Sequence, residues 1–136
     1  MKKTLNEKKM LKESGVITMY LFVHYPKCST CQKAKQWLDE QGVAYEARHI
    51  VEQNPTAEEL ARWIGGSGQP VKKFFNTSGL KYKDLGLKDK LPTMSDEEQI
   101  ALLATDGMLV KRPLLIGDGV VLAGFKADKW AEALQK

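Results

Sequence analysis

The stretch YLFVHYPKCSTCQKAKQWLDEQG, residues 20–42, decides the fold. Its first six residues, 20–25, are aromatic and β-branched, which predicts a short buried strand that the following proline ends. The next residues have the apolar spacing of an amphipathic helix, with Ser29 or Thr30 as its N-cap and an end near Gln41. Two cysteines therefore lie at the junction between a strand and a helix.

The segment after this helix repeats the same order of elements. Residues 43–50 predict a second strand. The sequence TAEE, from Thr56 to Glu59, is a capping box and predicts a helix to about Ile64. Strand, helix, strand and helix in succession are typical of an α/β fold that opens with parallel strands.

The middle of the chain reads as helical and contains no strand pattern. Residues 65–68, Gly-Gly-Ser-Gly, predict a break that acts as a linker. A lysine-rich helical stretch is predicted over residues 70–91, and a second capping box at Ser95 predicts a helix that Gly107 ends. We interpret the region from about 65 to 107 as a helical insertion, not as a separate domain.

The C-terminal part predicts a hairpin and a last helix. Residues 114–116 and 120–122 are apolar, and Gly-Asp-Gly at 117–119 separates them as a tight turn. The apolar spacing that follows predicts a helix over residues 127–134.

Length and charge favour one domain with a short extension. The 136 residues fit a single domain. The net charge is +4, of which residues 1–18 contribute +3, so the remaining chain is nearly neutral. We interpret residues 1–18 as a flexible N-terminal extension and residues 19–136 as the domain. The near-neutral body favours no direct DNA binding.

The sequence also bears on the compartment. No apolar run approaches the ~18 residues of a membrane span, so we expect no membrane association. The basic N-terminus is not followed by an apolar stretch of signal-peptide length. These features predict a cytoplasmic protein, and we expect a monomer.

The small number of cysteines limits the kinds of site that they can form. The chain has two cysteines, Cys28 and Cys31, whereas a secreted disulfide scaffold would need more. A structural zinc site needs four ligands, and only His24 and His49 remain to complete one, so we expect no metal. A redox pair, two unreactive buried thiols, or a catalytic thiol with a neighbouring cysteine remain as interpretations.

The position of Cys28 favours a reactive thiol. Helix N-termini present unpaired N–H groups and a partial positive charge. A thiol placed there has its pKa lowered from ~8.5 to roughly 3.5–7.5. Cys31 lies one turn into the same helix and can attack a disulfide formed on Cys28. We therefore predict Cys28 as the nucleophile and Cys31 as the resolving cysteine.

A second candidate precedes the hairpin. Pro113 before a strand is tolerated at the first position or an edge, and its bond to Arg112 is compatible with either the cis or the trans form. Taken alone, Arg112 reads as a surface charge.

Four motifs resemble one known family. They are YPKCSTCQKAKQWLDEQG at 25–42, KKFFNTSGLKYKDL at 72–85, LLATDGMLVKRPLL at 102–115 and GFK at 124–126. In this order and spacing, the sequence resembles the glutaredoxin-dependent arsenate reductase family, ArsC/Spx. The resemblance implies an α/β fold of the thioredoxin-like (glutaredoxin-like) type, with a mixed sheet and a helical insertion.

The resemblance also implies a site. Cys28 would be the catalytic cysteine, Pro113 a cis-proline, and Arg112 a neighbour of the thiol that binds an oxyanion. No bound cofactor is implied. Glutathione with glutaredoxin, or thioredoxin, would supply the electrons.

The sequence departs from the arsenate-reducing members in two ways. Those enzymes surround the thiol with three arginines, of which only Arg112 is present here. The second arginine position, in the insertion, falls near Lys72, which is a candidate oxyanion ligand. The third arginine position, after the hairpin, falls near Gly124. Arginine and lysine are not equivalent in holding an oxyanion, so weak or absent arsenate reduction is expected. Those enzymes also lack a second cysteine where Cys31 stands.

Two functions follow from this comparison. The first is an arsenate reductase-like enzyme, a thiol–disulfide oxidoreductase that uses Cys28 and Cys31. The second is a redox-sensing regulator, because Cys28, Cys31 and Arg112 together also resemble the Spx branch, whose members bind RNA polymerase.

Overall fold

The computed structural model describes residues 19–136, and the predicted flexible extension at 1–18 lies outside them. The described part of the chain forms four strands and six α-helices. Their bounds are β1 (Tyr20–His24), α1 (Ser29–Glu40), β2 (Tyr45–His49), α2 (Ala57–Ser67), α3 (Leu80–Asp84), α4 (Leu87–Lys90), α5 (Asp96–Leu103), β3 (Leu114–Gly117), β4 (Val120–Ala123) and α6 (Ala127–Leu134). Short 3-10 turns occupy Val71–Phe74, Leu91–Thr93 and Gly107–Leu109.

The four strands form one mixed sheet in the order β2-β1-β3-β4. β1 runs parallel to β2, and β3 runs antiparallel to both β1 and β4. In the register, Phe22 of β1 lies opposite Ala47 on one side and Leu115 on the other. The α/β class with a mixed sheet, as the resemblance implied, is therefore confirmed.

Two apolar cores cover the two faces of this sheet. Because strand side chains alternate, the adjacent residues Phe22 and Val23 enter different cores. The smaller core joins Phe22 to α1 and α6, with Leu38 and Trp130 at its centre. The larger core joins Val23 to α2, α5 and the segment between them. Residues of the predicted insertion thus contribute to the core on one face of the sheet.

The prediction of a linker at residues 65–68 was wrong. α2 continues through Gly65 and Gly66 and ends at Gly68, whose φ of +71° is the left-handed conformation that glycine favours at a helix end. Trp63 and Ile64 are buried just before this segment and hold the helix against the core. Their burial outweighs the low helix propensity of the two glycines.

The single helical stretch predicted over residues 70–91 was also wrong, since short pieces replace it. Gly79 precedes α3, and Gly86 separates α3 from α4 with a φ of +63°. The helix capped by Ser95 ends at Leu103, before the predicted end at Gly107. Gly107 instead packs so closely on the backbone of Ile50 that a Cβ there would collide with the Ile50 carbonyl oxygen.

The flanking predictions agree with the structure. The hairpin joins β3 to β4 through Asp118 and Gly119, which have positive φ values of 49° and 74°. The last helix has the predicted bounds. Among residues 19–136, no helix is both long and apolar enough to cross a membrane.

Candidate active site

Cys28 is the N-cap residue of α1. Its backbone is extended, with φ −86° and ψ 121°, and its Sγ accepts a hydrogen bond from the backbone N–H of Cys31 at 3.4 Å. The prediction of Ser29 or Thr30 as the cap was therefore wrong. The sulfur itself receives one of the N–H groups that a helix start leaves unpaired. No acidic residue lies in the first turn of α1 to oppose a negative charge there.

Cys31 lies one turn further along α1 and points into the protein. Its side chain is 1% exposed, whereas that of Cys28 is half-buried. The Sγ of Cys31 accepts a hydrogen bond from the backbone N–H of Tyr25 at 3.5 Å. Both thiols are free, so the structure describes the reduced pair.

The two thiols have opposite pKa shifts. Burial raises the pKa of Cys28, but hydrogen bonds from the Cys31 backbone and thiol, and the hydrogen bond and charge of Arg112, outweigh it, so that the pKa is lowered. Burial is the main cause that raises the pKa of Cys31 to about 12; the Tyr25 N–H opposes this shift, and the adjacent Cys28 sulfur adds to it. Cys28 is therefore the thiol that ionises first.

Arg112 lies beside Cys28. Its guanidinium carbon is 5.1 Å from the ring centroid of Tyr25, and Nη1 is 4.0 Å from the Sδ of Met108. The peptide bond between Arg112 and Pro113 is cis. The buried Pro113 accepts a hydrogen bond at its carbonyl from the Gly124 N–H at 2.8 Å. This hydrogen bond connects Pro113, the residue that follows Arg112, to the end of the hairpin.

A cleft of about 870 Å³ opens next to this arrangement. Thr30, between the two cysteines, and Arg112 line it, whereas the cysteines themselves do not. Its walls come from the end of α2, the segment before β3, strand β4 and the start of α6. The remaining lining residues are Ser67, Gln69, Lys73, Phe74, Lys111, Val121, Leu122, Ala123, Gly124, Phe125, Lys126, Lys129 and Trp130.

The structure places Lys72 outside this cleft. Lys72 is exposed, and its neighbour Lys73 lines the cleft in its place. The space above Gly124 is filled by Lys111, because a Cβ at Gly124 would lie 2.8 Å from the Lys111 Cε. The positive charges near Arg112 are therefore those of Lys73 and Lys111, which the sequence alone did not identify as site residues.

A short backbone bridge explains why Lys73 and Lys111 line the same cleft. Phe75 pairs with Val110 in an isolated antiparallel bridge, and the Lys111 N–H donates to the Phe74 carbonyl at 2.8 Å. The bridge brings the insertion alongside the segment that leads to Arg112. The motifs KKFF and VKRP contain both lysines, but only this long-range pairing shows that they share one cleft.

The site can support nucleophilic attack by sulfur next to a cationic surface. The described residues, 19–136, contain no group of three or more His, Cys, Asp or Glu side chains that could hold a metal ion. The chemistry available is that of a thiolate, a second thiol and Arg112.

Comparison with known proteins gives one family. The model of the ArsC family matches residues 23–133. The chain is 54% identical to the uncharacterized protein YusI of Bacillus subtilis, over 82% of this chain and 94% of that protein. It is 28% identical to the regulatory protein MgsR of the same organism, over 85% and 90%. It is 25% identical to the global transcriptional regulator Spx of Staphylococcus epidermidis, over 76% and 78%.

Solved structures agree in fold. A protein related to the ArsC family from Bacteroides fragilis superposes with a TM-score of 0.81 at 61% identity, covering 84% of this chain and 96% of that one. An arsenate reductase from Vibrio cholerae superposes with a TM-score of 0.77 at 27% identity, covering 86% and 98%. Both enzyme-like and regulator-like proteins are therefore among the relatives of this chain.

Proposed function

This chain belongs to the ArsC family, and within that family we propose that it is a thiol–disulfide oxidoreductase in which Cys28 attacks and Cys31 resolves. The observation that supports the proposal is the unequal environment of the two sulfurs. Cys28 is accessible and has a lowered pKa, whereas Cys31 is buried and has a raised one. A pair that differs in this way has a built-in order of reaction.

The first step is attack of the Cys28 thiolate on a sulfur of a substrate disulfide. A bond forms between Cys28 and that sulfur, the substrate disulfide breaks, and the second substrate sulfur leaves as a thiolate that takes up a proton. Arg112 stabilises the thiolate before the attack, and the Cys31 N–H holds it in place.

The second step releases the substrate. Once Cys28 is in a mixed disulfide, it no longer carries the charge that helps to raise the pKa of Cys31. Cys31 then loses its proton to the departing substrate sulfur and bonds to Cys28, so that two electrons have passed from the protein to the substrate. Glutathione with glutaredoxin, or thioredoxin, would reduce the Cys28–Cys31 disulfide again, and a cytoplasmic location, where such reductants keep thiols reduced, is part of this proposal.

Arsenate itself is a poor substrate in this proposal. Two of the three arginine positions hold a displaced Lys72 and a Gly124 covered by Lys111. Lysine presents a point charge and not the planar fork that grips an oxyanion with paired hydrogen bonds. Arsenate turnover should therefore be slow compared with disulfide exchange.

The second candidate function is redox regulation. The likeness to MgsR and Spx, at 28% and 25% identity, favours it. In that case the Cys28–Cys31 pair would be a switch, and the partner would be RNA polymerase.

Trapping of mixed disulfides in the Cys31→Ser variant of the full chain tests the enzyme proposal. We expect Cys31→Ser to accumulate disulfide-linked substrate proteins, while the matched variant Cys28→Ser accumulates none. A redox titration of the wild type against glutathione should yield an intramolecular disulfide. If Cys28 only forms a mixed disulfide with glutathione while Cys31 stays free, the resolving role is wrong. If the disulfide forms, nothing is turned over and RNA polymerase is recovered with the protein, the regulator replaces the enzyme.

A further inference from the structure

The cleft beside Cys28 is lined by cations. Its charged side chains are all positive, and no aspartate or glutamate of the described residues lines it. We call this set the cationic cleft; it comprises Lys73, Lys111, Arg112, Lys126 and Lys129. The chain as a whole carries only +4, so the cleft is a strong local concentration of charge.

Among the residues that the structure describes, no carboxylate forms an ion pair with these cations. Within residues 19–136, none of the five forms an ion pair, whereas Lys81, on the insertion, pairs with Asp106 at 3.6 Å. Gathering like charges without partners destabilises the folded state through their mutual repulsion. The arrangement is therefore better explained by an anionic ligand than by stability.

The start of α6 strengthens the same field. Lys126 is the N-cap residue of this eight-residue helix, and its side chain makes no capping hydrogen bond. Lys129 lies in the first turns, where the helix dipole already disfavours positive charge. Asp128, in the same turn, does not line the cleft. The dipole and the two lysines thus add at the part of the cleft wall that α6 forms.

The absence of a side chain at Gly124 leaves the space that the side chain of Lys111 occupies. With a φ of +77°, Gly124 has a conformation that other residues rarely adopt, and a Cβ there would approach the Lys111 Cε to 2.8 Å. The stem of Lys111 therefore lies across this glycine, next to the residue that contacts the reactive thiol.

The size and remaining walls of the cleft suit a peptide. About 870 Å³ lies within the roughly 300–1,000 Å³ of small-ligand sites. The partly exposed Val121, Leu122 and Phe125 contribute apolar surface to its walls. A short peptide has both parts, a backbone and apolar stems for these walls and carboxylates for the lysines.

We infer that the cationic cleft selects disulfide substrates whose reacting cysteine is flanked by carboxylates, as in an acidic peptide or an acidic segment of a protein. This inference rests on the proposed disulfide exchange at Cys28. The carboxylates bind Lys111 and the lysines of α6 while Cys28 attacks the neighbouring sulfur. The exchange itself is the one written above, and its electrons come from the cysteine pair.

Exchange with three capped tripeptides tests the inference. Glu-Cys-Glu, Gln-Cys-Gln and Lys-Cys-Lys are each linked to 2-thiopyridine through a disulfide and added to full-length Cys31→Ser protein. Attack on the peptide sulfur releases 2-thiopyridone, which is followed by absorbance, and mass spectrometry identifies the peptide on Cys28. Rates with 2-mercaptoethanol correct for the reactivity of each peptide.

We expect the glutamate peptide to react about tenfold faster than the glutamine peptide at low salt, and the lysine peptide to react slowest. The preference should shrink at high salt, because screening weakens it. The double variant Lys111→Gln with Lys129→Gln should lose most of it, and the control Lys88→Gln, which changes an exposed lysine outside the cleft, should keep it.

The outcomes separate the two proposals. Equal corrected rates for the three peptides overturn the acidic-substrate inference and leave disulfide exchange standing. No reaction of Cys28 with any peptide beyond the rate of 2-mercaptoethanol overturns the exchange itself. A longer capped peptide with Glu-Cys-Glu at its centre distinguishes the sources: an undiminished rate and preference indicate a protein segment, and a preference confined to the tripeptide indicates a free peptide.

Discussion

At the scale of single residues, the two sulfurs of the pair differ in what surrounds them. The Cys28 Sγ accepts a backbone N–H bond and lies by Arg112, while the Cys31 Sγ is enclosed by the core. The spacing Cys-x-x-Cys before a helix predicts this order of reactivity. It does not predict that the nucleophile is itself the cap, since Ser29 and Thr30 are better cap formers by type.

Arg112→Met should raise the pKa of Cys28. The variant removes a hydrogen bond and a positive charge, both of which favour the thiolate. We expect the midpoint of the pH–rate profile for alkylation, measured in Cys31→Ser, to lie below the ordinary thiol value of ~8.5 and to move up by about one unit or more in Arg112→Met. Arg62→Gln, an exposed change on α2, is the control and should leave it in place. A parent midpoint at or above the ordinary value contradicts the lowered pKa.

The oxyanion arrangement was only partly predictable from sequence. Arg112 was identified from the motif before the hairpin, and the structure places it against Cys28. Position along the chain points to Lys72, but within the 3-10 turn at Val71–Phe74 the neighbouring Lys73 is the residue that lines the cleft. Which of two adjacent lysines in such a turn lines the cleft cannot be read from a sequence pattern.

At the scale of elements, the start of α2 is stabilised by a compact set of polar contacts. Thr56 and Glu59 form the predicted capping box, and Arg48 of β2 binds both carboxylate oxygens of Glu59 at 2.7 and 2.8 Å. The hydrogen bonds from Arg48 are the main cause that lowers the pKa of Glu59 to about 2. The box could be predicted from local sequence, but the arginine from another strand could not.

Glu59→Gln should lower the free energy of unfolding by about 1–2 kcal/mol at neutral pH, after allowance for solvent screening. Because the folded pKa lies below the unfolded one, this stabilisation is full above the unfolded value and is lost as pH falls toward about 2. Denaturation curves of both proteins should therefore converge in acid. Glu58→Gln removes the same charge from the same turn and should cost far less. A constant gap across this pH range would rule out the ionised pair as the cause.

Glycines at two places should respond oppositely to alanine. Gly107→Ala places a methyl group against the Ile50 backbone, which cannot move aside, and should destabilise the protein by about 2–3 kcal/mol. Gly65→Ala lies in the exposed part of α2 with no atom within 4 Å and should stabilise it by roughly 0.5–1 kcal/mol. Thermal unfolding of the two variants measures both. Equal changes in stability would show that neither steric crowding at Gly107 nor helix propensity at Gly65 determines the effect of the substitution.

The errors in predicting the elements share a physical origin. Residues 65–68 carry turn formers, yet buried Trp63 and Ile64 keep α2 helical through them. Residues 70–91 carry helix formers, yet Gly86 in the left-handed conformation divides them. In both segments, tertiary packing and one backbone conformation outweigh average propensity. The hairpin and α6 were predicted well because their turn residues and apolar spacing agree with their packing.

At the scale of the whole molecule, one sheet separates two cores and makes them depend on each other. Phe22 and Val23 are neighbours in β1 but belong to different cores, as do Leu115 and Leu114 in β3. The insertion completes the larger core, so the domain extends over both faces. Sequence analysis predicted the order of elements, but which face each covers depends on long-range pairing.

The two cores should therefore unfold in a single transition. Trp63 lies in the larger core, and Trp37 and Trp130 lie in or against the smaller one, so tryptophan fluorescence reports on each. In the double variant Trp37→Phe with Trp130→Phe, only Trp63 reports; in Trp37→Phe with Trp63→Phe, only Trp130 reports. Within each variant, we expect the urea midpoint by fluorescence to equal that by circular dichroism, which follows all helices.

Leucine truncations on the two sides complete this test. Leu38→Ala in the smaller core and Leu103→Ala in the larger one each remove a fully buried side chain and should lower the free energy of unfolding by about 2–5 kcal/mol. Because the sheet is shared, each truncation should shift the transition reported from the opposite core by the same amount as its own. A midpoint for Trp63 that moves with Leu103→Ala but not with Leu38→Ala would show instead that the insertion and α2 form a unit that unfolds independently of α1 and α6.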